Sequence, residues 1–217
     1  MSIFEHDIYV ELRSKRIKAI INYYGKDWFR DKKILELGCG NADIGNSFYE
    51  MGAMVTATDA REEHLKLANE KYPHIKTVLF DLELPDWPFD ENYDLILHTG
   101  VLYHLKNYEK NLVNCLNHCD NMFLECVTAD SDDDNYVEYI PNEIGDDQSF
   151  CEIGCRASEK NIEKIMKENH FEFYRYFKSE LNSKNNVFDW KIKNTKSPLL
   201  YDDGNYTWLR RAWFCKK

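Results

Sequence analysis

Lys33-Ile34-Leu35-Glu36-Leu37-Gly38-Cys39-Gly40 is the stretch on which the reading of this chain turns. A short apolar run stopped by two glycines predicts a buried strand entering a tight turn, and residues 42–51 after it predict a helix. Such a turn lets a ligand approach the backbone closely, with a helix N-terminus at hand. Alone, G-x-G is a weak signal. Here Asp59 follows Gly40 by 19 residues and closes a second apolar run, residues 54–60. A carboxylate at that place suits the two hydroxyl donors of a ribose. The combination points to a nucleoside-bearing cofactor.

Working outward, residues 6–24 carry Ile8, Leu12, Ile17, Ile20, Ile21 and Tyr24 as a helical stripe that Gly25 ends. Residues 61–72 predict a helix, 76–81 a third strand, 92–100 a fourth, 102–118 a helix and 121–130 a fifth strand. Strands alternating with helices argue for a parallel, doubly wound sheet. Residues 131–148 read as an acidic loop. Ser158 predicts the N-cap of a helix over 159–169, with Ile162, Ile165 and Met166 facing inward. Residues 171–178 and 206–215 are aromatic-rich strands, and the polar stretch between them is too short for a crossover helix. They are expected to pair antiparallel. The expected fold is therefore α/β: a doubly wound, mostly parallel seven-stranded sheet with an antiparallel C-terminal strand pair and helices on both faces. One domain is expected, with an N-terminal helix (1–30), a cofactor-binding half (31–128) and a substrate-binding half (129–217).

Composition narrows the function. The 217 residues include 28 Lys and Arg against 38 Asp and Glu, a net charge of −10, which disfavours a phosphate-tracking nucleic-acid binder. The balance is uneven, because residues 156–217 carry 14 basic and 8 acidic side chains. No apolar run approaches the ~20 residues that span a bilayer. The N-terminus lacks a basic head before an apolar stretch, so no secretory signal is expected and the expected compartment is the cytoplasm. Seven cysteines, an odd number, read as reduced thiols. Cys115, Cys119, Cys151 and Cys155 have three-residue gaps where a zinc knuckle uses two, so no metal site is expected.

The cofactor class follows from detail. A dinucleotide site prefers G-x-G-x-x-G, and position 43 is Asp. Glu36 would repel a pyrophosphate but suits a cationic ligand. A sulfonium with an amino-acid tail is such a ligand. Four blocks then resemble the class I S-adenosylmethionine-dependent methyltransferases: the E-L-G-C-G turn, Asp59, the Phe80-Asp81-Leu82 step, and the run from Tyr93 through Gly100 to Leu102-Tyr103-His104-Leu105. The resemblance covers residues 30–128 in detail. It implies that Glu36, Gly38, Cys39 and Gly40 line the methionine moiety and that Asp59 takes the ribose hydroxyls. It further implies Ala60 and Arg61 beside the adenine, Asp81 and Leu82 on its polar edge, and His98, Thr99 and Gly100 beneath the sulfonium.

Methyl transfer from a sulfonium is an in-line displacement, so the protein must align two reactants and take a proton from a hydroxyl acceptor. Candidate bases are His104, then His98, both in the fourth-strand region, and Glu125 near the end of strand five. The carboxylates of residues 125–134 could hold a divalent metal, but the run reads better as a solvated acidic loop. The second half looks similar to small sugar and polysaccharide methyltransferases. That likeness implies a small-molecule or glycan hydroxyl as acceptor, oriented by Gln148, Arg156, Arg210 and Arg211. Two alternatives stay open: an RNA or tRNA-base methyltransferase, and a cofactor-binding homologue without catalysis.

Overall fold

A computed structural model of the chain describes residues 2–183, 186–191, 199–200, 206–207 and 209–217. Its frame is a seven-stranded sheet. Five strands are parallel: β1 (Lys33–Leu37), β2 (Met54–Asp59), β3 (Lys76–Leu79), β4 (Leu95–Thr99) and β5 (Asn121–Thr128). A two-stranded antiparallel hairpin of β6 (Val137–Pro141) and β7 (Ile153–Ala157) stands beside the sheet. The helices are α1 (Asp7–Tyr24), α2 (Asp43–Tyr49), α3 (Glu62–Lys71), α4 (Tyr108–Asn117) and α5 (Glu159–Glu168). β8 (Glu172–Arg175) is followed by two short strands, β9 (Leu199–Leu200) and β10 (Tyr206–Thr207), which pair with each other. The long β11 (Leu209–Lys216) then inserts between β5 and β8, antiparallel to both. The sheet order is β3-β2-β1-β4-β5-β11-β8.

The chain winds from β1 outward through β2 and β3, then returns to β4 and β5 on the other side. The reversal leaves a crevice at the carboxyl ends of β1 and β4, where the switch point of a doubly wound sheet takes its ligands. Gly38 and Gly100 stand at those two ends.

Side-chain alternation divides the sheet into two faces. Ile34, Leu95, Leu97, Phe123, Ala212 and Phe214 pack with α1, α2 and α3. Leu35, Leu37, Ile96, Leu124, Trp213 and Cys215 pack with α4 and α5. Every polar residue in a strand inherits a face from this parity. Glu36, Glu125 and Arg210 go with the α1–α2 face, whereas His98 and Arg211 go with the α4–α5 face.

Local signals account for the boundaries. Gly25, at φ +87°, stops α1, as the sequence suggests. The Ser158 Oγ accepts from the Asn161 N–H at 3.1 Å to start α5, and Ile162, Ile165 and Met166 are buried as expected. Losing such a cap costs about 1 kcal/mol.

Three expectations need correction. The helix expected over 102–118 is broken: Leu102–His104 is a single 3-10 turn, Leu105 is extended, and α4 begins at Tyr108. The Glu83 carboxylate accepts from the Lys106 and Asn107 N–H groups, a long-range contact that holds the break open. Residues 131–148 are not all loop, because Val137–Pro141 forms β6. Its partner Ile153–Ala157 was missed, since Pro141 and Gly154 interrupt two already short runs. Within the strand expected over 206–215, Tyr206–Thr207 pairs with β9 and Leu209–Lys216 joins the main sheet, and Trp208 lies outside the described residues. All seven cysteines are free thiols, six of them buried. Among the described residues no helix is long and apolar enough to cross a membrane.

Candidate active site

Two adjoining cavities open at the switch point. One, of about 400 Å³, is lined from β1 and its turn by Glu36, Gly38 and Cys39, from β4 by Thr99 and Gly100, and from α1 by Arg13 and Arg16. The other, of about 110 Å³, is lined by Asp59, Ala60, Arg61, Asp81 and Leu82. Gly38, Gly100, His104, Asp147 and Gln148 border both. Of the residues expected around the cofactor, Glu36, Gly38, Cys39, Asp59, Ala60, Arg61, Asp81, Leu82, Thr99 and Gly100 line these two spaces, and Gly40 and His98 do not.

The turn needs its glycines. Gly38 has φ +61° and Gly40 φ +52°. A Cβ on Gly38 would collide with the Val101 side chain, and one on Gly40 would come within 2.9 Å of the Phe4 ring. Gly40 does not line either cavity. Its N–H donates to Asp59 Oδ2 at 2.9 Å, while Asp59 Oδ1 accepts from the Arg61 N–H at 3.0 Å and meets His64 Nδ1 at 3.1 Å. Asp59 thus braces the turn as well as facing the smaller cavity.

Glu36 is 2% exposed and looks into the larger cavity. Its Oε2 accepts from the Gly45 N–H of α2 at 3.0 Å. Burial outweighs that bond and pushes its carboxyl up to about 8. A buried acid held neutral by its surroundings is a strong anchor for a cation placed beside it.

His104 sits at the junction of the two cavities, in the 3-10 turn after β4. Its Nδ1 is 2.8 Å from Glu143 Oε2. Burial lowers the imidazole below its ordinary range, against the opposing pull of Glu143. Burial would raise Glu143, but His104 and Arg156 outweigh it and hold that carboxyl low. With Glu143 ionised, Nδ1 carries the proton and Nε2 is left as an acceptor. Arg156 completes the group, donating to Glu143 Oε1 at 2.5 Å and to the Tyr103 carbonyl at 2.8 Å.

The other expected site residues divide by strand face. His98 lines neither cavity. It is wholly buried on the α4 face, with Nε2 2.9 Å from Asn111 Oδ1, and burial drives it down to about 4. Arg211 is also wholly buried on that side, paired with Glu159 of α5 at 2.5 Å and donating to Thr128 Oγ1 at 2.6 Å. Both are corrected to structural positions, for the same reason of parity. Glu125 faces the α1 side, yet its carboxylate is fully buried behind two arginines, Arg16 and Arg210. Burial would raise it, but those guanidiniums outweigh it and hold it below the usual carboxylate range. It positions arginines and has no free oxygen for a proton. Gln148 and Arg210 line the larger cavity as expected.

Sequence reasoning missed Glu143 and the whole contribution of α1: Tyr9, Arg13 and Arg16. Arg13 and Arg16 lie on the stripe of α1 that contains Leu12 and Ile20, so the helical period offered a signal. Glu143 offered none, because it reaches His104 only through the unrecognised hairpin.

A profile for the methyltransferase domain matches residues 9–175. The ubiquinone biosynthesis O-methyltransferase of Rickettsia bellii is 29% identical over 105 residues, 45% of this chain and 41% of that protein. The Rickettsia felis protein of the same name is 23% identical over 179 residues, 81% of this chain and 67% of that one. Among solved structures, the N-terminal domain of EvdMO1, crystallised with SAH and D-fucose, superposes with a TM-score of 0.68 at 14% identity, covering 98% of this chain and 84% of that one. Magnesium protoporphyrin IX methyltransferase from Synechocystis with bound SAM gives 0.61 at 15% identity, covering 100% and 85%. These structures share the fold. With the profile matching most of the chain, the chain belongs to the methyltransferase-domain family.

Proposed function

We propose that the protein is an S-adenosylmethionine-dependent O-methyltransferase acting on a hydroxyl of a small acceptor, a sugar among the candidates, with His104 as the base. The observation that carries this reading is the His104–Glu143 pair at the border of the two cavities. Solved structures of the same fold, one with bound SAM and one crystallised in the presence of SAH and D-fucose, and curated relatives named O-methyltransferases, support it.

The donor set fits the cofactor. Buried Glu36 would pair with the ammonium of the amino-acid tail, and Arg13 and Arg16, which line the same cavity, would meet its carboxylate. Asp59 would accept from the ribose hydroxyls, and Asp81 with Leu82 would meet the adenine edge. The cofactor supplies an electrophilic methyl whose transfer to oxygen breaks the carbon–sulfur bond, the electron pair staying on sulfur. The chain supplies the rest. His104 Nε2 takes the hydroxyl proton as the oxygen–carbon bond forms, and Glu143 steadies the resulting imidazolium. Gln148, Arg156 and Arg210 border the space left for the acceptor.

Asp59→Ala is expected to weaken SAH binding by about 1–3 kcal/mol, the loss of a charge-assisted partner. Calorimetry finding unchanged affinity would remove Asp59 from the site. The reading as a whole is tested with methyl-labelled cofactor and a panel of glycosides, phenols, amines and tRNA. Label should appear as an alkali-stable ether on hydroxylated members. Transfer to an amine or to a tRNA base instead would refute it.

A further inference from the structure

We infer that Glu125 is a positioning residue that couples two walls of the larger cavity. It divides one carboxylate between Arg16, on the seat for the cofactor's carboxylate, and Arg210, on the wall left for the acceptor, so that a change at either arginine is felt at the other. This deepens the reading above and rests on its seat for the amino-acid tail. Strand register puts Glu125 at the junction. On β5 it lies opposite Thr99 of β4 and Ala212 of β11, and its carbonyl accepts from the Gly100 N–H at 2.8 Å. Arg210, two residues from Ala212, projects to the same face of the sheet. Arg16 comes from α1 and passes close to Gly100, where a Cβ would meet its Nη2 at 2.8 Å. Glu125 Oε2 accepts from Arg16 Nη2, and Oε1 accepts from Arg210 Nη1 at 2.8 Å. Both arginines border the larger cavity, while the Glu125 side chain is wholly buried behind them.

A carboxylate held in this way cannot change its grip on one guanidinium without changing its grip on the other. Solvent does not reach it, and among the described residues no other cation lies within ion-pair distance of it. With both arginines present, its charge is neutralised from two sides. Loss of Arg210 leaves the whole charge to Arg16, in surroundings that screen it poorly. A cofactor carboxylate on Arg16 then competes with Glu125 for that guanidinium and is repelled by it. Arg210 has one further polar partner, donating through Nη2 to Tyr103 Oη at 3.1 Å. The Tyr103 ring lies between the Arg210 and Arg156 guanidiniums, 5.3 and 5.1 Å from its centroid. Tyr103 immediately precedes His104, so the wall that Glu125 steadies adjoins the proposed base. An acceptor that draws Arg210 aside therefore acts through Glu125 on the cofactor, and by linkage the cofactor acts on the acceptor with the same coupling energy.

The link is tested by calorimetry with no acceptor present, using SAH and methylthioadenosine, a cofactor fragment without the amino-acid tail. Arg210→Gln should weaken SAH by roughly fivefold or more and leave methylthioadenosine within about twofold. Binding of the fragment also reports that the variant is folded with its nucleoside pocket intact. Arg210→Lys keeps a cation beside Glu125 and should show a smaller loss of the same kind; it serves alone if Arg210→Gln does not fold. In a Glu125→Gln background, Arg210→Gln should change SAH affinity no further, because the carboxylate that carries the effect is gone. Unchanged SAH affinity in the Arg210 variants, an equal loss with methylthioadenosine, or the same loss with and without Glu125 would each overturn the inference. Arg16→Gln separates this from the reading beneath it. That variant should weaken SAH and spare methylthioadenosine; if it does not, the seat of the amino-acid tail is misplaced and the inference falls with it. No arm involves methyl transfer, so the result is independent of the acceptor and of the base.

Discussion

Replacing His104 with alanine is expected to lower kcat by roughly 10²–10⁴-fold, the range a positioned general base contributes. A sugar or alcohol hydroxyl is a poor nucleophile while it keeps its proton, and His104 Nε2 is the acceptor that borders both cavities. SAH affinity should fall far less, because Glu36 and Asp59 are the residues proposed to hold the cofactor. The pH profile gives an independent check. His104 is lowered from its ordinary range by burial, so the wild-type enzyme should keep its base deprotonated at neutrality and lose activity only well below pH 7. Glu143→Gln removes the carboxylate that holds burial in check, and should reduce kcat while shifting that acid limb to still lower pH. Single-turnover measurement of wild type, His104→Ala and Glu143→Gln decides the matter. Wild-type turnover by His104→Ala would strip the residue of its role.

Glu36→Gln is the second large effect. Truncating one partner of a buried, hydrogen-bonded charge pair costs about 2–5 kcal/mol, and this substitution keeps the shape and the bond from Gly45 while removing only the charge. The wild-type protein should show a proton signature that the variant lacks. Its Glu36 carboxyl, raised to about 8 by burial, is mostly protonated at pH 7. The incoming ammonium favours the anion, so binding expels close to one proton at pH 7. Affinity should rise by up to tenfold per unit from pH 6 toward pH 8 and then level. The stability of the empty protein runs the other way. A carboxyl raised on folding contributes stability at acid pH that is lost as pH climbs through 8, so the thermal shift on adding SAH should widen over the same interval. Calorimetry in two buffers of different ionisation enthalpy counts the proton. Equal proton release by wild type and Glu36→Gln would defeat the assignment.

The cofactor half of the site was legible because its signals are local. A strand, a glycine turn and a helix lie within twenty residues, and the acid after the next strand falls at a distance set by the repeating unit. The half proposed to take the acceptor was harder to read because its residues converge from four separate elements. Arg210 and Arg211 are adjacent in sequence and were read together, yet a strand sends neighbours to opposite faces, one to the cavity and one to Glu159 of α5. The pattern Ala212, Trp213, Phe214, Cys215 contains that information, once the face of any one member is known. The same parity separates His98 from the cavity. Glu143 and the break before α4 could not be seen locally, because each depends on a contact between distant segments: Glu143 with His104, and Glu83 with residues 106 and 107.

The position of β11 has a kinetic consequence. This strand pairs Leu209 with Thr128 and Lys216 with Asn121, and it is β11 that joins β8 to the sheet. Closing a loop of more than eighty residues must precede every bond between β5 and β11, so docking of β11 on β5 belongs among the slow, non-local steps of folding. Until it docks, β5 is an unpaired edge carrying Met122, Phe123 and Leu124, a template for pairing with other chains. Glu125 on that edge lacks Arg210, and the larger cavity lacks one wall. The molecule therefore completes the wall of the larger cavity and loses its exposed edge in the same event, and a chain halted before it would be prone to associate.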